Sequence, residues 1–113
     1  MKAVRFHEFG GLDVLSFDEV DDPRPGPGEV VVRIRASALN HLDVDVRDGI
    51  SRFPVTLPHT LGIEVAGDLA AVGEGVEGWS PGDRVLEVAD DAVGGGAECL
   101  LELARVAARR EEE

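Results

Sequence analysis

Three groups of residues in this chain could do chemistry. The first is the glycine triplet in AVGEGVEGWSPGDRV, where Gly73, Gly75 and Gly78 have the G-x-G-x-x-G spacing of a dinucleotide-binding turn. The second combines an amide, carboxylates and imidazoles: Asn40, His41 and Asp43 in NHLD, His59 in LPHT and Glu64 in GIEV. The third is Cys99, the only cysteine.

A glycine-rich turn holds pyrophosphate only where a buried strand leads into it and a helix starts within it, so that helix N-terminal N–H groups meet the phosphates. GIEVAGDLAAV supplies the strand. The helix fails: Trp79, Ser80, Pro81, Gly82 and Asp83 follow Gly78, and Pro-Gly stops a helix within a turn. No strand–helix–strand unit fits between the triplet and an acidic residue about twenty positions on. The triplet is predicted to be a surface turn. Cys99 as a nucleophile would need a histidine and an oxyanion hole beside it. Standing alone, it excludes an internal disulfide and a cysteine cage for zinc. His41, His59, Asp43 and Glu64 carry enough donors for a metal in principle. They lack any local H-x-x-x-H pair, and no metal is expected.

Asn40 supports two readings that can both hold. Its amide can donate to a developing oxyanion, and asparagine is also among the best helix N-caps. Asp43 fits the favourable electrostatics of a helix start. Glu64 is a charge in an otherwise apolar strand and needs a partner, with an arginine as the expected one. Gly62 and Gly67 mark a close backbone approach or a bulge.

The elements that must position these residues are short. KAVRFHEF alternates as a strand, GGLDVL turns, and LSFDEV completes a hairpin. DDPRPGPGE is a connector without room for helix. EVVVRIRASAL puts Val30, Val32, Ile34 and Ala36 on one face and Val31, Arg33, Arg35 and Ser37 on the other. Leu42, Val46 and Arg47 fall at helical spacing with Gly49 as a stop, which predicts a helix near Leu42–Asp48. SRFPVTLPHTLG reads as an irregular loop pinned by Pro54 and Pro58. IEVAGDLAAVG and DRVLEVA are strands on either side of the glycine turn, and DDAVGGGAE is expected to be flexible. The tail AECLLELARVAARREEE has Leu100, Leu103, Ala104 and Ala107 in a helical stripe, so propensity alone favours helix. Many short strands, one short helix and Pro/Gly turns predict a compact, mainly β domain.

At 113 residues and 43% hydrophobic the chain makes one domain with a modest core. It has no apolar run of membrane-spanning length, and MKAVRFHEFGG lacks a signal-peptide apolar region, so a cytoplasmic protein is expected. A net charge of −12 argues against nucleic acid or an anionic membrane as partner. Lys2 is the only lysine against ten arginines, a balance that either a salt-rich cytoplasm or high-GC coding would favour.

MKAVRFHEFGG, DPRPGPGEVVVRIRASALNHLDVDVRDG and LPHTLGIEVAGDLAAVGEGVEGWSPGDRV together resemble the N-terminal half of a medium-chain dehydrogenase/reductase, in its quinone oxidoreductase and alcohol dehydrogenase branch. The resemblance runs from Met1 to about Val88. It implies a GroES-like, partly open β-barrel with one or two short helices, forming one wall of an active-site cleft. It also implies hydride transfer with NADPH or NADH held on a Rossmann domain that follows in sequence. That domain is absent from residues 1–113, so the chain alone is expected to be inactive and to bind no cofactor. Zinc members place cysteine in C-x-x-D and histidine in G-H-E. Asn40 and Ile63 stand at those positions here, and the zinc-free members are the better likeness. By the same resemblance Asn40, Asp43 and Glu64 line the cleft, and His41 matches a position that can approach the cofactor phosphates. The alternative function is a non-enzymatic β-domain that self-associates or binds a protein partner. An apolar wall left bare by the missing domain predicts a homodimer.

The resemblance also contests the tail. GGGAECLLELARV is similar to a strand that closes the barrel in zinc-free members. A strand there would satisfy an open sheet edge, which a helix could not. Strand through about Leu103 is therefore expected, with Ala104–Glu113 a turn or frayed helical end.

Overall fold

The computed structural model describes residues 1–88 and 103–107. Seven strands and one helix follow in order: β1 (Lys2–Phe6), β2 (Leu15–Glu19), β3 (Glu29–Ser37), α1 (His41–Asp48), β4 (His59–Thr60), β5 (Glu64–Val72), β6 (Arg84–Val88) and β7 (Leu103–Ala107). They form two antiparallel sheets, β2-β1-β4 and β6-β5-β3-β7. Among the described residues these do not close into one barrel, and the mainly β, partly open architecture expected from the sequence is the one found.

The predicted β1–β2 hairpin is present, in register from Lys2↔Glu19 to Phe6↔Leu15, with a single 3-10 turn at Leu12–Val14 between the strands. Just past the end of β1, His7 reaches back along the hairpin, its Nε2 2.7 Å from Oδ2 of Asp18, which pairs with Ala3 in the ladder. This hydrogen bond, with a second from Ser16, holds the Asp18 carboxyl below its ordinary 3.8. Phe6 is fully buried and anchors one core with Val46 and Leu61, packed against Val14, Leu15, Leu42, Val55 and Leu57. Burying such a ring contributes about 2–3 kcal/mol over leaving it in water. This core clamps α1 onto the first sheet. The loop predicted at residues 51–62 is irregular but ends in the two-residue strand β4, and its Leu57–Pro58 bond is cis. The hydrophobic spacing had not signalled that strand because two residues are too few to show a period.

β3 is the axis of the second sheet, paired with β5 on one side and β7 on the other. The predicted alternation holds where Val30 and Val32 join Leu69 in a second core, with Ile34, Val72, Val76, Trp79 and Val85 against it. Val31 is buried too, at 2% exposure, so the N-terminal half of β3 is covered on both faces. Arg33, Arg35 and Ser37 are exposed, and so is Ala36. Two register shifts interrupt the β3–β5 ladder. One leaves Ala70 unpaired between Val31↔Ala71 and Val32↔Leu69, and the other leaves Arg35 unpaired between Ile34↔Gly67 and Ala36↔Ala66. The second bulge aims Arg35 at Asp68, 2.7 Å away. Gly67 lies at the same place: a Cβ there would stand 2.1 Å from the Arg33 carbonyl oxygen, so the strands approach too closely for any side chain.

The tail differs from expectation. Leu103–Ala107 is strand, antiparallel to β3 from Arg33↔Leu103 to Glu29↔Ala107, where a turn or frayed helix had been expected after Leu103. The unpaired edge of β3 decides this, because a row of backbone donors and acceptors gains more from a partner strand than an Ala/Leu/Arg stretch gains from helix. The expectations for residues 89–102, including the flexible DDAVGGGAE stretch, Cys99 and Leu100, lie outside the described residues.

Candidate functional site

Asn40 and Asp43 fall where β3 hands over to α1, and Glu64 lies beside them at the start of β5. Asn40 is the N-cap, extended at φ −118° and ψ 156°, and its backbone carbonyl accepts the Asp43 N–H at 3.0 Å. The Asp43 carboxylate turns back to accept the Asn40 N–H at 2.8 Å, the carboxylate half of a capping box. Asp43 is only 4% exposed, and its charge is favoured at the positive end of the helix. Gly49, left-handed at φ 79°, ends the helix where predicted, and the helix starts one residue earlier than expected, at His41.

The Asn40 side chain leaves the helix and reaches β5. Its Nδ2 donates to Glu64 Oε2 at 3.2 Å and lies 3.5 Å from the Ala38 carbonyl. The arginine expected beside Glu64 is therefore an asparagine amide. Arg35, the arginine that does reach β5, pairs with Asp68 instead because the bulge points it there. Glu64 opens β5 directly after Gly62 and the half-buried Ile63. Asn40 occupies the N-cap position through its backbone, and its amide, instead of capping the helix, is tied to a carboxylate on the neighbouring strand.

The histidines are not part of this corner. The His41 side chain is 88% exposed, with Nε2 3.6 Å from Asp45 Oδ1 one helical turn on. His59 packs edge-on against Phe6, with ring centroids 5.5 Å apart. Among the described residues no group of three or more His, Cys, Asp or Glu side chains could hold a metal ion.

Sequence reasoning missed Arg47 as more than a helical-spacing residue. Its Nε donates to the Gly10 carbonyl at 3.0 Å while Gly10 N–H donates to the Arg47 carbonyl at 3.0 Å, which fixes the C-terminal end of α1 to the loop after β1. A basic residue in the last turn of a helix was the available signal.

The glycine triplet is a turn between β5 and β6, and no helix starts anywhere in residues 73–83. Gly73 closes on the connector before β3: its N–H donates to the Glu29 carbonyl at 2.8 Å, and Gly28 N–H donates to the Glu74 carbonyl at 2.8 Å. A Cβ on Gly73 would lie 2.0 Å from the Gly26 carbonyl oxygen, so this glycine serves close packing of two backbones. Without helix N-terminal N–H groups the turn has nothing to offer a pyrophosphate. Among the described residues no helix is long and apolar enough to cross a membrane.

Against known proteins, residues 26–108 match the family model for the alcohol dehydrogenase GroES-like domain. The quinone oxidoreductase of Sus scrofa is 37% identical over 102 residues, covering 89% of this chain and 31% of that protein. The NAD-dependent alcohol dehydrogenase of Sulfolobus acidocaldarius is 37% identical over 91 residues, covering 76% and 26%. Among solved structures, Escherichia coli quinone oxidoreductase complexed with NADPH superposes with a TM-score of 0.78 at 29% identity, over 95% of this chain and 31% of that one. The chain thus spans about a third of the length of the quinone oxidoreductases it matches. With its two open antiparallel sheets, the helix that starts at the Asn40 N-cap and this match over most of its length, the chain belongs to the alcohol dehydrogenase GroES-like domain family.

Proposed function

We propose that this chain is the catalytic-side domain of an NAD(P)-dependent oxidoreductase of the quinone oxidoreductase and alcohol dehydrogenase type. The observation that carries the reading is the corner of Asn40, Asp43 and Glu64, drawn from two separate motifs and joined by hydrogen bonds of 2.8 and 3.2 Å. The bound nicotinamide, NADPH or NADH, would supply the hydride, and its cradle would be a Rossmann domain outside these residues. Asn40 stands where zinc-dependent members carry a thiolate and Ile63 where they carry an imidazole, so the reading is zinc-free. Without the hydride carrier the chain alone is inactive. His41, 88% exposed, would be free to meet the cofactor phosphates.

A chimera tests this. The chain replaces the matching quarter of the Pseudomonas aeruginosa quinone oxidoreductase, which is 43% identical over 84 residues covering 26% of that protein. NADPH-dependent quinone reduction is expected in the chimera, loss of kcat in its Asn40→Ala variant, and no turnover by the chain alone. A folded chimera that binds NADPH but reduces nothing would sink the reading.

A second reading, a β-domain that self-associates, is favoured by large apolar side chains left in water: Leu39 at 87%, Leu86 at 72% and Ile50 at 71% exposure. Light scattering at high salt, which screens the −12 charge, should then find dimers. A monomer at tens of micromolar would refute it.

A further inference from the structure

The Asn40–Glu64 contact says what kind of ligand this corner can take, given the reading above that it faces the reacting groups. A carboxylate only accepts hydrogen bonds, so the Asn40 atom 3.2 Å from Glu64 Oε2 must be the donor Nδ2, and the amide cannot flip without losing this bond. Asp43 meanwhile holds the Asn40 backbone N–H at 2.8 Å. Two carboxylates from different elements thus fix one asparagine, by its main chain and by its side chain. Among the described residues no arginine or lysine forms an ion pair with either carboxylate, so the corner keeps its negative charge. A developing oxyanion beside Asn40 would meet that charge at close range, which opposes the role of oxyanion donor that the amide alone suggests.

We propose that Glu64 is the positioning residue for Asn40, and that the pair selects a neutral ligand group bearing N–H or O–H donors over an anionic oxygen. Glu64 sets the amide and supplies the local charge, while Asn40 and the remaining carboxylate lone pairs meet the ligand. The carboxylate does not react, and no bond is made or broken at it.

The test uses the isotope-labelled chain and two probes of nearly the same shape, benzamide and benzoate. In Glu64→Gln, whose carbonyl still accepts, the Asn40 side-chain amide should stay protected from exchange. In Glu64→Ala it should exchange rapidly, with the backbone spectrum otherwise unchanged. Benzamide should perturb the Asn40 amide in preference to benzoate, and Glu64→Gln should narrow the preference by about tenfold, the scale of one pK unit of charge interaction. An Asn40 resonance that ignores Glu64 overturns the positioning role. Binding of benzoate in preference, binding of neither probe, or a preference unchanged in Glu64→Gln overturns the selection. If the chimera fails to turn over while Asn40 still follows Glu64 and takes benzamide, only the oxidoreductase reading falls.

Discussion

Replacing Gly73 by alanine separates a packing glycine from a nucleotide-binding one, because its neighbour Gly75 has the opposite surroundings. At Gly73 the new Cβ would meet the Gly26 carbonyl oxygen at 2.0 Å and the Glu29 carbonyl oxygen at 2.8 Å, both backbone atoms that cannot rotate aside. Relief requires the β5–β6 turn and the connector before β3 to part. That strains the Gly73 N–H bond to Glu29 and the Gly28 N–H bond to Glu74. Overpacking of this kind costs about 3 kcal/mol. Gly75 has φ 78° and nothing within 4 Å of a Cβ, so alanine there meets only the left-handed backbone penalty of about 1 kcal/mol. At about 4 °C per kcal/mol for a domain of this size, Gly73→Ala should lower Tm by about 12 °C and Gly75→Ala by about 4 °C. Calorimetry or circular dichroism melts read both. Equal losses, or the larger loss at Gly75, would refute the close-approach account of the turn.

Phe6→Ala empties the centre of the core that holds α1 on the first sheet and should cost about 3–5 kcal/mol, read as a fall in the urea midpoint. Asp18 has a folded pKa below its unfolded value of 3.8, so its stabilisation is full above that value and fades as pH falls through the folded one. Asp18→Asn should therefore destabilise the chain at neutral pH and scarcely at all in acid, as urea titrations at both pH values would show. Asp43→Ala removes the acceptor for the Asn40 N–H and the charge at the helix start, and about 1 kcal/mol should be lost, measured by chemical denaturation. Metal analysis of the purified chain should find no stoichiometric zinc, since Asn40 and Ile63 are not zinc ligands.

The parts of this fold that were legible in the sequence are those set by local chemistry. Gly49 ends α1 because the backbone turns left-handed there, and Asn40 and Asp43 open it because Asn40 is extended at the N-cap and the Asp43 carboxylate accepts its N–H. Pro81 and Gly82 announced the end of any helix after the glycine triplet. What escaped depends on chain segments meeting across space. Arg35 reaches Asp68 only because a bulge reaims it, and nothing in EVVVRIRAS marks which residue will be extruded. Glu64 was known to need a partner, but its identity depends on how α1 sits over β5. Residues 103–107 look helical taken alone and become strand because β3, some seventy residues earlier, has an edge to fill.

That last pairing has a consequence for how the chain comes to be made. Glu29 lies opposite Ala107, so β3 is synthesised long before the strand that completes its sheet, and most of the molecule must emerge in between. Contacts this distant in sequence form late and slowly. Until they form, β3 presents a row of free N–H and C=O groups beside Val30, Val31 and Val32, which is a template for pairing with a neighbouring chain. Shortening the chain to end before Leu103 would make that interval permanent. The aggregation risk of this domain is therefore set less by its acidic surface than by how soon its last strand arrives.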